Sequence, residues 1–428
     1  MGFSKKIAQD EARRCPQCAV ATCLPGCPLG IDIPGFIRFL REGDSPSALE
    51  RIRKDNPFPE ICGRICPAPC ERACIFHADG APIAIRDLER YAADGGPSKS
   101  EKQISAHPRG KKVAIIGCGP AGMSAAYYLA RDNFSVTVFE AAHEPGGLLR
   151  YVVPEFRLPQ KILDELVARL KSGGVIIQTD VVFGRTLMID ELFMQGFSAV
   201  LLATGAGLPC FSDLPGSHWG HVYYDVEFLR GLQEINKQEV LQRAKLERFL
   251  PSKTVVLGCG DKAFDAARLS LRLGSQVDLV FAGLEEQLGV RDDILKESTQ
   301  EGISIHSMQA LEIMGGDNGF VSGVKCRKLE MVEGEDGLKL QASKEEPVIL
   351  EAQSVVISDN HRPGDFLKQY LPQLKWEQDG SLWVDAKTFQ TSIEKVFACG
   401  NVVTVAGSVA QTIAGGKAAA QKMIEYLQ

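Results

Sequence analysis

The first candidate chemistry in this 428-residue chain lies in its cysteines, eight of whose 13 fall between Cys15 and Cys74. They form two runs: Cys15-x2-Cys18-x4-Cys23-x3-Cys27, followed by Pro28, and Cys62-x3-Cys66-x3-Cys70-x3-Cys74. Thiolates at these spacings can converge on an inorganic cluster, and a cysteine before proline at the end of a bacterial ferredoxin run commonly serves the other cluster. Eight thiols suffice for two cubanes. The competing reading is one or two closed zinc sites, because four cysteines around a tetrahedral ion need similar spacings. Cys118, Cys210, Cys259, Cys326 and Cys399 are scattered and read as small core residues. No pair among them stands beside a nucleotide motif, so a disulfide relay has no support. The seven histidines show neither metal nor triad spacing.

Two glycine-rich turns carry a second kind of chemistry. Gly117-Cys118-Gly119-Pro120-Ala121-Gly122 fits G-x-G-x-x-G after a strand pattern and at the start of a helix pattern. Such glycines permit a tight turn, close approach of a pyrophosphate and close helix packing, while the helix N-terminus offers N–H donors. Glu140 ends the next strand pattern, where an acid can accept hydrogen bonds from a ribose hydroxyl. The second turn is Gly258-Cys259-Gly260-Asp261-Lys262-Ala263, with the permitted alanine in third place. Phe281, Ala282 and Gly283 close its second strand, so neither acid nor arginine stands there. Glu285 or Glu286 is the nearest acid for a ribose hydroxyl, which favours NAD; no residue in this stretch offers a site for a 2′-phosphate. A purely structural turn is the rival reading.

These motifs need elements to hold them. The Cys- and Pro-rich first 95 residues carry short helical patterns, Pro34 to Leu40 and Pro82 to Tyr91, and read as a small helical domain held by its metal sites. The breaker-rich stretch from Gly95 to Gly110 reads as a linker. Strand–turn–helix–strand patterns follow twice, Lys111 to Glu140 and Thr254 to Phe281, with further buried strands at Ala199–Ala203 and Ser354–Ile357 and a last helix at Val409–Leu427. Alternating strands and helices imply parallel sheets covered on both faces. Hydrophobic residues at 45% and charged residues at 24% fit a globular chain. No apolar stretch is long enough to span a bilayer, and the polar first 14 residues lack a secretory core, so a cytoplasmic location is expected. A net charge of -6 argues against nucleic acid as a main partner.

Over nearly its whole length the chain resembles the glutamate synthase small subunit family, with relatives in the large subunit of NADH-dependent ferredoxin:NADP oxidoreductase and the N-terminal half of dihydropyrimidine dehydrogenase. The stretches that carry the resemblance are Cys23-x3-Cys27-Pro28 with Ile31-Asp32-Ile33-Pro34, Cys62-Gly63-Arg64-Ile65-Cys66-Pro67, Leu88-Glu89-Arg90-Tyr91, Pro154-Glu155-Phe156-Arg157-Leu158-Pro159, Leu202-Ala203-Thr204-Gly205-Ala206 and Asp265-Ala266-Ala267-Arg268.

The resemblance implies an α/β fold in which a helical N-terminal iron-sulfur domain precedes two Rossmann-like nucleotide-binding domains, the FAD domain being discontinuous. Its implied bounds are 1–107 for the [4Fe-4S] domain, 108–225 and 352–428 for the FAD domain, and 226–351 for the NAD(P) domain. It also implies crossed cluster ligation. One cluster takes Cys15, Cys18, Cys23 and Cys74, and the other takes Cys27, Cys66 and Cys70 with Glu89 as oxygen ligand. Chemistry alone would choose Cys62 over Glu89.

FAD would lie against Gly117, Gly119, Pro120, Ala121, Gly122, Glu140, Gly146, Gly147, Leu148, Thr204, Gly205, Gly400, Asn401 and Val409. The nicotinamide dinucleotide, NAD(H) or NADP(H), would lie against Gly258, Gly260, Asp261 and Ala263. No protein acid or base is expected to act in catalysis, because the cofactors carry the chemistry. The expected function is an oxidoreductase subunit passing electrons between NAD(P)H, FAD and two [4Fe-4S] clusters to or from a partner redox subunit or ferredoxin-like protein. The alternative is a non-catalytic electron-transfer or assembly subunit with a degenerate nicotinamide site. Three departures from the family pattern stand out: Gly400-Asn401 replaces Gly-Asp, Ala282 and Gly283 replace a pair of arginines, and Ile357-Ser358-Asp359-Asn360 replaces an Ala-Ile-Gly segment.

Overall fold

A computed structural model describes residues 2–95, 110–236, 252–334 and 337–428. The expected linker between Gly95 and Gly110, with the domain bound at 107, lies outside the described residues. The chain forms two compact units. The first comprises Met1–Arg150, Glu155–Leu208 and Arg362–Gln428; the second comprises Tyr151–Pro154 and Pro209–His361.

The first unit opens with short helices at Lys5–Arg14, Ile33–Glu42, Ser45–Arg53, Pro59–Ile65 and Ile85–Asp94. Local chemistry explains the second of them. The Asp32 side chain accepts the Gly35 N–H, Pro34 fits the first turn, and Ile33, Phe36, Ile37 and Leu40 form one buried stripe. Gly43, at φ 84°, ends it in the left-handed conformation. Helices Pro59–Ile65 and Ile85–Asp94 cross at Gly63, where a Cβ would lie 2.6 Å from Arg90 Cα. That glycine brings Cys62 and Glu89 onto facing helices.

A five-stranded parallel sheet follows, in the order Val396–Ala398, Phe197–Leu202, Lys112–Ile116, Ser135–Phe139, Ile176–Gln178. Its strand order reverses between Lys112–Ile116 and Phe197–Leu202, the kind of crevice in which open α/β sheets bind ligands. The helix Val409–Leu427 packs on the helix Pro120–Arg131: Ser124 Oγ donates to Ile413 O at 2.7 Å, and a Cβ at Gly416 would lie 2.3 Å from Ala121 O.

Residues 55–60 dock the helical segment onto this sheet's helices. Lys417 Nζ donates to Asp55 Oδ1 at 2.9 Å, Tyr128 Oη donates to Asp55 O at 3.0 Å, and Arg169 reaches Glu60 at 3.1 Å and Pro57 O at 2.9 Å.

In the second unit, parallel strands run in the order Ser304–Gly315, Gln276–Phe281, Lys253–Leu257, Ser354–Ile357, Val222–Tyr224. Antiparallel strands Val321–Gly334, Gly337–Ala342 and Val348–Glu351 extend it beyond Ser304–Gly315. Sequence reading misses this arm, in which Val348–Glu351 is exposed or half-buried throughout and so buries no face that would mark a strand. One expectation is overturned. Cys259 is exposed and Cys210 half-buried, so these two are not core thiols, whereas Cys118, Cys326 and Cys399 are buried. Among the described residues no helix is long and apolar enough to cross a membrane.

Candidate functional site

The two cysteine runs interleave. Cys15, Cys18 and Cys23 line one chamber with Cys74 from the end of the second run, and Ile33, Ile37 and Ile83 complete much of its wall. The four thiols lie within electrostatic reach of one another. Burial first, and the neighbouring Cys15 thiol next, push Cys23 up to about 11. Among the described residues no three such side chains close on one point as the ligands of a single ion do; this quartet rings a chamber instead.

Cys27, Cys66 and Cys70 gather around Glu89. Cys62 joins the same group, within reach of Glu89, Cys66 and Cys27. Burial pushes Cys66 up to about 12 and lifts Cys62 and Cys70 well above the usual thiol range. Glu89 is raised to about 8 by burial, against the hydrogen bond from Asn56. So many buried acids cannot ionise together unless positive charge enters among them. A metal cluster supplies that charge and releases the protons, so this donor set fits one.

At the first fingerprint, Gly117 has φ +104° and a Cβ there would lie 2.5 Å from Ala203 O. A Cβ on Gly122 would lie 2.0 Å from Gly117 O, which makes this the close-packing glycine. Beside Gly119 there is open space, the cradle that a pyrophosphate needs at the start of helix Pro120–Arg131, whose first turn holds Ala121. The chain returns to this turn after the second strand. Gly146 N–H donates to Cys118 O at 3.0 Å, and Gly147, followed by Leu148, would set a Cβ 2.9 Å from Gly119 Cα. Glu140 accepts the Cys118 N–H at 2.7 Å and the Ala142 N–H at 2.9 Å, leaving lone pairs for a ribose hydroxyl. Thr204 Oγ1 is buried beside Gly117 without a hydrogen-bond partner among the described residues, and Gly205 follows it at φ +72°. An orphaned hydroxyl above an open glycine cradle fits a flavin dinucleotide.

Gly400, at φ +75°, would set a Cβ 2.7 Å from the Ala121 Cβ. Asn401 donates from Nδ2 to Gly407 O at 3.3 Å and accepts from Thr412 Oγ1 at 3.1 Å. An aspartate could not make the first bond, so the amide ties down the loop leading to Ser408, which caps the helix that starts at Val409.

The second fingerprint repeats this geometry. Gly258, at φ +148°, would set a Cβ 2.5 Å from Ser358 O, and Gly260 faces open space. Asp261 opens helix Asp261–Arg272, and Ala263 is buried in its first turn. Gly289 N–H donates to Cys259 O at 3.0 Å, the counterpart of Gly146 and Cys118. Sequence reading passes over Gly289; aligning the two units on their glycine turns would have found it. Glu285 is exposed on a short 3₁₀ turn, Ala282 is exposed, and the Glu286 side chain lies outside the described residues. Lys262 Nζ, His361, Asp225 and Ser358 form a network beside Gly258, drawn from positions too far apart in sequence for any motif to join them.

Residues 1–101 match the dihydropyrimidine dehydrogenase domain II, 4Fe-4S cluster family, and residues 111–421 match the pyridine nucleotide-disulphide oxidoreductase family. The chain is 32% identical, over 100% of its length and 96% of the relative's, to the NAD-dependent dihydropyrimidine dehydrogenase subunit PreT homolog of Salmonella typhi. It is 30% identical to the glutamate synthase [NADPH] small chain of Escherichia coli, over 100% and 93% of the two chains. The NADP(+)-dependent formate dehydrogenase subunit beta of Moorella thermoacetica is 29% identical and longer: 95% of this chain covers 60% of it. In fold, 74% of the chain matches 85% of FprA from Mycobacterium tuberculosis, solved in complex with NADPH, with a TM-score of 0.61 at 18% identity.

The chain belongs to the pyridine nucleotide-disulphide oxidoreductase family, within the glutamate synthase small subunit branch that carries an N-terminal 4Fe-4S domain. It is an oxidoreductase with iron-sulfur, flavin and pyridine nucleotide centres. The zinc reading of the cysteines gives way to the iron-sulfur one.

Proposed function

We propose that the chain passes electrons between NAD(P)H, FAD and two [4Fe-4S] clusters, to or from a partner redox subunit, in the cytoplasm. The observation that carries this reading is the interleaving of the two cysteine runs. A thiol from the second run completes the quartet of the first, and Cys27 joins the second group, as two neighbouring clusters require. In this reading Cys15, Cys18, Cys23 and Cys74 hold one cluster, and Cys27, Cys66, Cys70 and Glu89 hold the other. FAD binds the first fingerprint with Glu140, Thr204 and the N-terminus of helix Val409–Leu427. The dinucleotide binds the second. In this reading the FAD domain takes 108–208 with 362–428 and the nicotinamide domain 209–361, following the two units rather than the expected bounds of 108–225 with 352–428 and 226–351.

Bound there, these groups interconvert two-electron hydride transfer and one-electron traffic. The chain itself binds, orients and shields. The N-terminus of helix Val409–Leu427 would offer a positive dipole end to a flavin held there, which would favour its anionic reduced form. Residues 55–60 clamp the cluster segment onto the flavin fold and thereby fix the electron-transfer distance.

The relatives named as a small chain and as subunits support a partner for this chain too. Iron and acid-labile sulfide are expected at two cubanes per flavin. Anaerobic NADH or NADPH is expected to bleach the flavin and then reduce the clusters. A fully loaded protein whose flavin responds to dithionite and to neither nucleotide would be a non-catalytic subunit, and the proposal would fail.

A further inference from the structure

Three adjacent parallel strands of the second unit end side by side. Ile357 pairs with both Tyr224 and Leu257, so Asp225, Ser358 and Gly258 stand in a row one residue past the sheet. Asp225 is fully buried and well satisfied. It accepts from His361 Nε2 at 2.7 Å, Ser358 Oγ at 2.7 Å and the Val226 N–H at 2.6 Å. Lys262 Nζ lies against the same pair, 2.5 Å from His361 Nδ1, 3.3 Å from His361 Nε2 and 3.6 Å from Asp225 Oδ2.

An ammonium can only donate, so Nδ1 is the acceptor and Nε2 carries the proton given to Asp225. The tautomer follows from the network. The buried anion and the neutral imidazole thus together hold a cation whose side chain stays 33% exposed. His361 and Asp225 engage the inner side of the ammonium, and its third donor is left for a ligand.

We propose that Lys262 is a pyrophosphate-binding residue of the second dinucleotide site, held at the glycine turn by the buried Asp225–His361 pair. This rests on reading that site as one for NAD(P)H. Lys262 lies within the fingerprint, two residues after Gly260, whose open face is the cradle. The pyrophosphate of a dinucleotide carries two negative charges, while a helix N-terminus offers about half a positive charge. Lys262 supplies a full one. Ala282 offers no cation to a 2′-phosphate, so charge recognition concentrates on the pyrophosphate that NADH and NADPH share. Asp225 and His361 are positioning residues, because they act through Lys262.

The test uses the holoprotein with FAD and clusters in place, so that the first fingerprint is filled. Binding of ADP-ribose, which has the pyrophosphate, is compared with that of adenosine, which does not. Lys262→Gln is expected to weaken ADP-ribose about tenfold or more, the size of a lost charge-assisted hydrogen bond, and to leave adenosine unchanged. The salt dependence of ADP-ribose binding should fall with it. His361→Ala should weaken ADP-ribose and raise KM for NADH with little change in kcat. His361→Gln, which can both accept and donate, should restore most of that loss and serves if Lys262→Gln does not fold.

Equal ADP-ribose affinity in wild type and Lys262→Gln would overturn the proposal, as would parallel losses for ADP-ribose and adenosine, which mark a merely structural role. A wild type that binds neither ligand would overturn the nucleotide-site reading, and this proposal with it.

Discussion

Asn56 Nδ2 donates to Glu89 Oε1 at 2.7 Å where both side chains are buried. The amide is itself held, because its Oδ1 accepts the Phe58 N–H at 2.9 Å. Glu89 therefore meets Cys27, Cys66 and Cys70 in a fixed orientation, while Cys62 lies on the facing helix within reach of the same group. Either group could take the eighth position. With Glu89 as ligand, Glu89→Ala should lose one of two cluster EPR signals and about half the iron, while Cys62→Ala keeps both. The opposite pattern would make Cys62 the ligand. Asn56→Leu should cost about 2 kcal/mol by leaving a buried carboxyl without its donor.

The two fingerprint glycines should fail in different ways. A methyl at position 122 would meet Gly117 O at 2.0 Å, so Gly122→Ala must shift backbone and should lower the melting temperature even without cofactor. A methyl at 119 meets nothing within 4 Å among the described residues. Gly119→Ala should melt like the wild-type apoprotein and yet purify largely without flavin. Normal flavin content in Gly119→Ala would show that the pyrophosphate does not use this cradle.

Docking of the cluster segment is also separable from folding of the flavin sheet. Arg169 bridges Glu60 and Pro57 O, and Glu60 is held below the usual carboxylate range: burial raises it, but Arg169 and Arg53 outweigh that. Arg169→Ala should cost about 1 to 3 kcal/mol, because it leaves a buried acceptor and weakens a buried ion pair. The rate of flavin-to-cluster electron transfer, read by stopped flow, should drop while flavin content holds. An unchanged rate would show that residues 55–60 do not set that distance.

Asp225 predicts a pH dependence of stability. Burial raises its carboxyl, but the hydrogen bond from His361 and the charge of Lys262 outweigh burial and hold it below the usual range. Such a carboxyl contributes stability above its unfolded value of about 3.9, and the contribution is lost as pH falls through the folded value. Asp225→Asn should cost about 3 kcal/mol at pH 7, since it leaves Lys262 without its anion. The gap to wild type should narrow below about pH 4, as the native carboxylate protonates. Melting curves of the two proteins from pH 7 to pH 3 check this, and a gap that stays constant would remove the charge as its source.

Local pattern alone specified much of this molecule. Strands Gln276–Phe281 and Ser354–Ile357 and helix Val409–Leu427 fall where apolar periodicity places them, because those segments are buried on both faces or along one stripe. The fingerprints were legible because glycine spacing is a backbone requirement that survives in the sequence, and the cysteine runs because cluster ligation demands thiols at short intervals. The antiparallel strands beyond Ser304–Gly315 were not legible, since a segment such as Val348–Glu351, exposed or half-buried throughout, buries no face that would mark it. Cys259 reads like any buried thiol until the turn that holds it turns out to face solvent. Only tertiary structure set Gly63 against Arg90, Asn56 against Glu89, and Asp225 against His361. Those pairs depend on how separate elements pack, and packing is decided by the whole chain, whereas a motif records only what neighbouring residues need from one another.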